Sequence, residues 1–214
     1  MNLKITLFTI TLATTFALQC SEYTIIIRPA THDDFDTMRE LSHRAYQNHF
    51  KPLWQEHYAW LTPQNQTIDE FVNEKEKINN TTNADFIKRQ ANNEDFSLLI
   101  AQITKPDTTK SLAGFCRFEK KSDTTMYMHY ILVDEQFRRK GIAKQLAYAA
   151  MHKWDTVTQC NFRALVHDNF INDLYSQHNC TKTGTVSIDA NTGKISTDPN
   201  AVITHNDYSF TIQK

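Results

Sequence analysis

The chain has 214 residues, 40% of them hydrophobic and 22% charged, with 13 phenylalanines, eight tyrosines and three tryptophans, enough apolar material for one packed domain of ordinary size. The formal net charge of −1 carries none of the basic bias of a dedicated nucleic-acid binder. The four cysteines, Cys20, Cys116, Cys160 and Cys180, form no CxxC pair and no metal-ligand spacing with the nine histidines, so no metal site is expected.

Residues 1–20, MNLKITLFTITLATTFALQC, carry one early lysine and then an uncharged apolar run from Ile5 to Leu18. That profile fits a secretory signal or an apolar anchor, and the run is too short for a transmembrane helix. The other reading is an extra apolar strand or helix packed on the domain that follows over residues 21–214.

TIIIRPATHDDFDTMRELSHRAY predicts a strand at Thr24–Ile27, a turn at Pro29 and a helix capped by Thr31 with Asp34 three residues on. KPLWQEHYAWLTP is an aromatic-rich piece broken by Pro52 and Pro63, and Thr67 with Glu70 caps a second helix. A third short helix is read at Ala84–Gln90, and the polar tracts QNQT and NNTTNAD are read as loops.

From Phe96 the pattern turns to strands: SLLIAQIT, SLAGFCRFEKK and TMYMHYILV, three with short links, which predicts an antiparallel meander. Ile142, Leu146, Ala149, Ala150 and Trp154 then recur at helical spacing from Gly141 onward. A strand NFRALV, a helix NFINDLYSQ and two strands, TKTGTVSID and AVITHNDYSFTI, around an NTGK turn complete the chain. The expected class is α/β, a mixed and largely antiparallel sheet flanked by helices.

FRRKGIAKQL puts three cations directly ahead of a helix start in a chain with only four glycines. The first N–H groups of a helix are unpaired and carry a partial positive charge, so this end suits phosphate. Arg138, Arg139 and Lys140 add full charges, while Gly141, with Ile142 and Ala143 after it, lets a phosphate approach the backbone. The expected ligand is a pyrophosphate. Neither the GxxxxGK[ST] pattern nor the three-glycine dinucleotide fingerprint occurs, which disfavours nucleotide hydrolysis and hydride transfer.

RRKGIA, between a strand and a helix, resembles the (Gln/Arg)-x-x-Gly-x-(Gly/Ala) acetyl-CoA loop of the GNAT superfamily of N-acetyltransferases. IIIRPATHDDFDTM and HDNFINDLYSQHNC resemble that superfamily's first strand and helix and its tyrosine-bearing segment. The resemblance implies an acyl-CoA N-acyltransferase fold and acetyl transfer from acetyl-CoA to a primary amine of a small molecule, peptide or protein. It assigns Ile131, Leu132 and Val133 to the strand that contacts the acetyl and pantetheine groups, and Arg138–Ala143 to the pyrophosphate. It also assigns Tyr175 to the general acid, and places the acceptor groove in residues 42–95 and 182–212.

Departures from the family pattern set a second reading beside this one. Asp168 stands where an asparagine contacting coenzyme A is common, and Asn179-Cys180 replaces Gly-Phe. Arg163 occupies the position of a glutamate base found in some relatives. Asp168 either accepts from the pantetheine amides or yields that place to Asn169. His129 is the candidate base, with His167 second, since imidazole titrates near neutral pH; a water relay is the alternative. A domain that binds CoA or a partner without turnover is the competing function. Acetyl-CoA points to the cytosolic side, residues 1–20 to export or membrane tethering.

Overall fold

The alternation in Thr125–Val133 (TMYMHYILV) turns Met126 and Met128 to one side of a sheet and Tyr127 to the other, and both sides are covered. In a computed structural model the described residues are 5–8, 15–20, 23–62, 66–177, 180–189, 195–196 and 202–212. Their strands are β1 (Ile5–Phe8), β2 (Thr15–Cys20), β3 (Tyr23–Pro29), β4 (Phe96–Thr104), β5 (Lys110–Lys120), β6 (Thr125–Val133), β7 (Gln159–Leu165), β8 (Thr181–Asp189) and β9 (Val202–Thr211). They make one sheet in the order β1-β2-β3-β4-β5-β6-β7-β9-β8. β6 and β7 are its parallel pair, and the other neighbours run antiparallel.

The helices are α1 (Phe35–Ala45), α2 (Lys51–His57), α3 (Ile68–Asn92), α4 (Ile142–Met151) and α5 (Asn169–Gln177). Met38 and Leu41 of α1 and Phe86 and Ile87 of α3 pack with Leu98, Ile100 and Phe115 on one face. Ile142, Leu146 and Ala150 of α4 and Tyr175 of α5 pack with Met126, Cys160 and Phe162 on the other. A parallel pair cannot be closed by a tight turn, so β6 must cross over to β7, and α4 is that crossover.

The predicted meander is β4, β5 and β6, and the predicted late strands and helices fall within a residue or two of their observed ends. Both capping boxes are present: Asp34 accepts from the Thr31 backbone N–H and Glu70 from that of Thr67. Two readings are corrected. NNTTNAD is not a loop, and Ala84–Gln90 is not a separate helix; both lie inside the 25-residue α3. Asn79 and Asn83 are buried there because Asn79 reaches Ser42 and both accept from Arg117, while Thr81 and Thr82 bond back to the carbonyls of Lys77 and Ile78. Tertiary partners thus override the low helix propensity of Asn and Thr.

Within residues 1–20, β1 and β2 add to the sheet, Phe16 to Cys20 pairing with Tyr23 to Ile27, while residues 1–4 and 9–14 lie outside the described residues. So does the NTGK turn. Among the described residues no helix is long and apolar enough to cross a membrane.

Candidate active site

Strands β6 and β7 are paired from Thr125↔Gln159 to Met128↔Phe162 and no further. The next residue of β6, His129, is an extra one: Arg117 of β5 faces Tyr130 and Phe118 faces Met128, so His129 forms a bulge. A bulge bends its strand. Beyond it β6 stays with β5 as far as Val133↔Gly114, and β7 stays with β9 as far as Leu165↔His205. The two strands therefore part, leaving the edges Tyr130–Val133 and Arg163–Leu165 without each other's hydrogen bonds, and Ile131, Leu132 and Val133 all lie on this opened edge. Gly114 lets β5 approach there, because a Cβ at that position would come 2.5 Å from the Leu132 carbonyl oxygen.

Beyond Val133 the chain makes a short turn capped by Asp134 and enters the basic loop. Arg139 has φ +60° and Gly141 φ +76°, so two left-handed residues flank Lys140 and curve successive N–H groups into a concavity. Gly141 is the N-cap of α4, and the first intrahelical bond runs from the Gln145 N–H to its carbonyl, which leaves the N–H groups of Ile142, Ala143 and Lys144 ahead of the ladder. A Cβ on Gly141 would meet only Gln145 Nε2, at 4.0 Å. The glycine therefore serves backbone conformation as well as open access.

The three cations differ. Arg138 folds back, its Nε donating to the Val133 carbonyl at 3.3 Å and its Nη1 lying 3.5 Å from Glu135. Lys140 Nζ sits 4.9 Å over the Tyr23 ring. Arg139 alone makes no such contact among the described residues and is exposed to whatever enters the loop.

Tyr175 of α5 lies under the gap, packed at 4.3 Å on the Phe162 ring and edge-on to Tyr208. Its hydroxyl makes no hydrogen bond among the described residues, and burial is the largest of the effects pushing its pKa well above the usual phenol value.

An opened parallel pair followed by an N–H-lined loop at a helix start suits a phosphate-bearing ligand. Residues 35–172 match the acetyltransferase (GNAT) family. The chain belongs to the GNAT acetyltransferase family. The match includes the basic loop and ends three residues before Tyr175. No curated protein matches the sequence significantly. Among solved structures, the PaiA N-acetyltransferase of Thermoplasma acidophilum, in complex with coenzyme A, superposes with a TM-score of 0.55 at 19% identity, over 86% of this chain and 99% of that one. An N-acetyltransferase of Staphylococcus aureus Mu50 gives 0.54 at 20% identity, over 88% and 99%. The ribosomal-protein-S18-alanine N-acetyltransferase of Escherichia coli gives 0.51 at 11%, over 89% and 95%. These likenesses concern the fold.

The structure of this GNAT domain places the remaining candidates. His129 bonds Glu119 Oε2 through Nε2 at 2.8 Å and is edge-on to Phe86 and Tyr127. Burial, with the positive charges of Arg117 and Lys121, lowers its pKa against the pull of Glu119, so the imidazole is biased toward its neutral form. Three steps of roughly 3.3 Å each separate His129 from Leu132, about 10 Å along the strand, a span that water must bridge. Arg163 is tied to Asp207 at 2.6 Å. Asp168 caps α5, accepting from the Ile171 N–H at 3.1 Å, and meets His49 Nε2 at 3.2 Å, so its carboxylate already has partners. Asn169 is exposed, and Asn179 lies outside the described residues.

Three residues escaped sequence reasoning. Glu119 orients His129, Gly114 makes room for Leu132, and Asn172 is a junction below the gap. The Asn172 amide donates to the carbonyls of Leu165 and Asp168, both at 2.8 Å, and its oxygen accepts from Tyr208 and Asn206. Each depends on a partner distant in sequence, so no local signal marks it.

A pocket of about 390 Å³ opens beyond β7, where Val166 and His167 continue the strand that has left β6. Its other walls are His57, Tyr58 and Trp60 from the end of α2 and the turn after it, Val202 and Thr204 of β9, Ser187 of β8, and Ser196. All of its walls except Val166 and His167 fall within the two segments where family resemblance puts the acceptor.

Proposed function

We propose that the chain transfers an acetyl group from acetyl-CoA to a primary amine. The observation that carries this reading is the gap between β6 and β7 joined directly to the N–H-lined loop at α4. The loop fits a diphosphate: the two left-handed residues aim N–H groups together, the space over Gly141 is open, and Arg139 is unengaged. Acetyl-CoA supplies an activated acetyl group as a thioester.

The reaction joins the amine nitrogen to the acetyl carbon, breaks the carbon–sulfur bond, and moves one proton from nitrogen to sulfur overall. The N–H groups of the Tyr130–Val133 edge that face the gap, every second one along the strand, are positioned to stabilise negative charge on the carbonyl oxygen. Tyr175 holds its proton across the working pH range and donates to the leaving sulfur. His129, neutral and oriented by Glu119, takes the proton from nitrogen through water. The acetyl-CoA supply favours the cytosolic side, whatever residues 1–20 do; sequencing the N-terminus of protein from its host tests that placement.

The decisive experiment measures free thiol released from acetyl-CoA on adding a panel of primary amines. Amine-dependent release slowed by Tyr175→Phe supports transfer. Tight coenzyme A binding with no release across the panel would favour a binding domain without turnover.

A further inference from the structure

We propose that the acceptor is a monoamine carried on an uncharged aromatic body, seated in the pocket that His57, Tyr58, Trp60, Val166, His167 and Val202 line together with three hydroxyl side chains. The inference rests on the acetyl-transfer reading and names the substrate class of that site.

Four of the lining side chains present rings. His57 and His167 are stacked at 4.3 Å with an interplanar angle of 11°, and Tyr58 stands edge-on to His167 at 5.6 Å. Trp60 leaves 58% of its surface exposed while its indole N–H is held by the His57 carbonyl at 3.3 Å. A tryptophan anchored by its polar edge with its face left in water is a ready stacking surface, and covering it releases apolar area. The volume of about 390 Å³ lies at the small end of the usual range of roughly 300–1,000 Å³ for ligand pockets.

The charge pattern narrows the class. Among the described residues lining the pocket there is no Asp, Glu, Lys or Arg. The second ammonium of a polyamine finds no carboxylate there, and the carboxylate of an amino acid finds no guanidinium or ammonium. Either occupant buries a charge without a partner, which is costly. Of the full charges close to these walls, Asp168 is engaged by His49, Arg163 by Asp207, and Glu56, which lies outside the lining, meets His57 Nε2 at 3.5 Å. An aromatic ring on a short aminoalkyl arm avoids both costs. Its ring stacks on Trp60 and His167, and its nitrogen points along Val166 toward the gap where β7 leaves β6. There the amine nitrogen bonds the acetyl carbon as the thioester carbon–sulfur bond breaks, and one proton passes from nitrogen to sulfur.

The test compares phenethylamine, spermidine, free alanine and an alanine-led tripeptide in the thiol-release assay, and measures phenethylamine binding to the full chain by titration calorimetry. The expected result is a kcat/KM for phenethylamine at least tenfold above the other three. Trp60→Ala should raise KM about tenfold with kcat little changed, and Trp60→Phe should restore most of it. If no amine gives turnover yet phenethylamine binds and Trp60→Ala abolishes binding, the transfer reading fails and the pocket assignment stands. If spermidine, alanine or the tripeptide is the preferred acceptor, or if Trp60→Ala changes neither KM nor binding, the pocket assignment is overturned while transfer survives.

Discussion

The Leu132 carbonyl oxygen lies where any side chain at position 114 would begin, 2.5 Å from the Cβ that Gly114 lacks. The clash is with backbone, so it cannot be relieved by a rotamer change. Gly114→Ala therefore has to push β6 away from β5 at the residues that line the gap. Overpacking of this kind costs about 1–3 kcal/mol. Melting should fall by roughly 2–4 °C per kcal/mol for a domain of this size. Displacement of the Leu132–Val133 edge should also lower kcat about tenfold or more in the thiol-release assay. An unchanged kcat would detach this strand from the chemistry.

Arg139 allows stability and coenzyme binding to be moved in opposite directions. Its φ of +60° strains a residue with a Cβ, at a cost of roughly 1–2 kcal/mol that glycine avoids. Arg139→Gly should raise the melting temperature while increasing the Kd for coenzyme A, because the unengaged guanidinium is lost. Gly141→Ala should do worse on both counts, adding strain at φ +76° and placing a methyl group in the open space over the loop. Calorimetric titration with coenzyme A and thermal melts separate the two effects.

Much of this loop was legible in the sequence, because a helix start announces itself through a glycine, a change of period and adjacent cations. The strands around it were legible for a similar reason: TMYMHYILV alternates, and it is β6 to the residue. What was hidden depended on pairs far apart in the chain. Asn79 and Asn83 read as loop residues until the Asn79 amide is seen to reach Ser42 and Arg117 to donate to the Asn79 carbonyl and the Asn83 side-chain oxygen inside α3. The bulge at His129 exists only relative to β5, and the role of Gly114 only relative to Leu132. Arg163 stands where some relatives carry a glutamate base, and its ion pair with Asp207 across β7 and β9 gives it a structural partner.

His129 should set an acid limb in the pH profile. Burial lowers its pKa from the ordinary imidazole value of about 6.5, and protonation removes its ability to accept a proton. At saturating amine, kcat should therefore fall as pH drops through a value below 6.5, with the ionisation of the amine itself shaping the profile at higher pH. Glu119 stabilises the protonated ring by hydrogen bond and charge, so Glu119→Gln lowers the pKa further and moves the limb to more acid pH. His129→Gln should abolish the limb and leave a slower rate. A limb that His129→Gln leaves in place belongs to the amine or another group.

Tyr175→Phe removes one oxygen that has no hydrogen-bond partner among the described residues. Stability should accordingly change by less than about 0.5 kcal/mol, since the ring contacts with Phe162 and Tyr208 persist. Loss of proton donation to the leaving sulfur should lower kcat about 100-fold. The KM for acetyl-CoA should change little, because the proposed role of the phenol is to donate to sulfur and not to hold the diphosphate. A variant that melts normally and turns over normally would return Tyr175 to the core.

Asn172 joins the floor of the gap to β9, and its removal should be felt as a coupled loss. Its oxygen accepts from Tyr208 at 2.6 Å and from Asn206 Nδ2 at 2.9 Å, and both donors belong to buried residues. Its amide holds the carbonyls of Leu165 and Asp168, fixing the end of β7 relative to the start of α5. Asn172→Ala leaves two buried donors without an acceptor, each costing about 1–3 kcal/mol. Total destabilisation should thus reach roughly 2 kcal/mol or more, with reduced activity as Tyr175 loses its support one turn away. Asn206→Ala alone should cost less, and in the double variant its cost should shrink further, because its partner is already gone. Additive losses in urea denaturation would show that the two side chains act independently and that Asn172 is not the junction its geometry suggests.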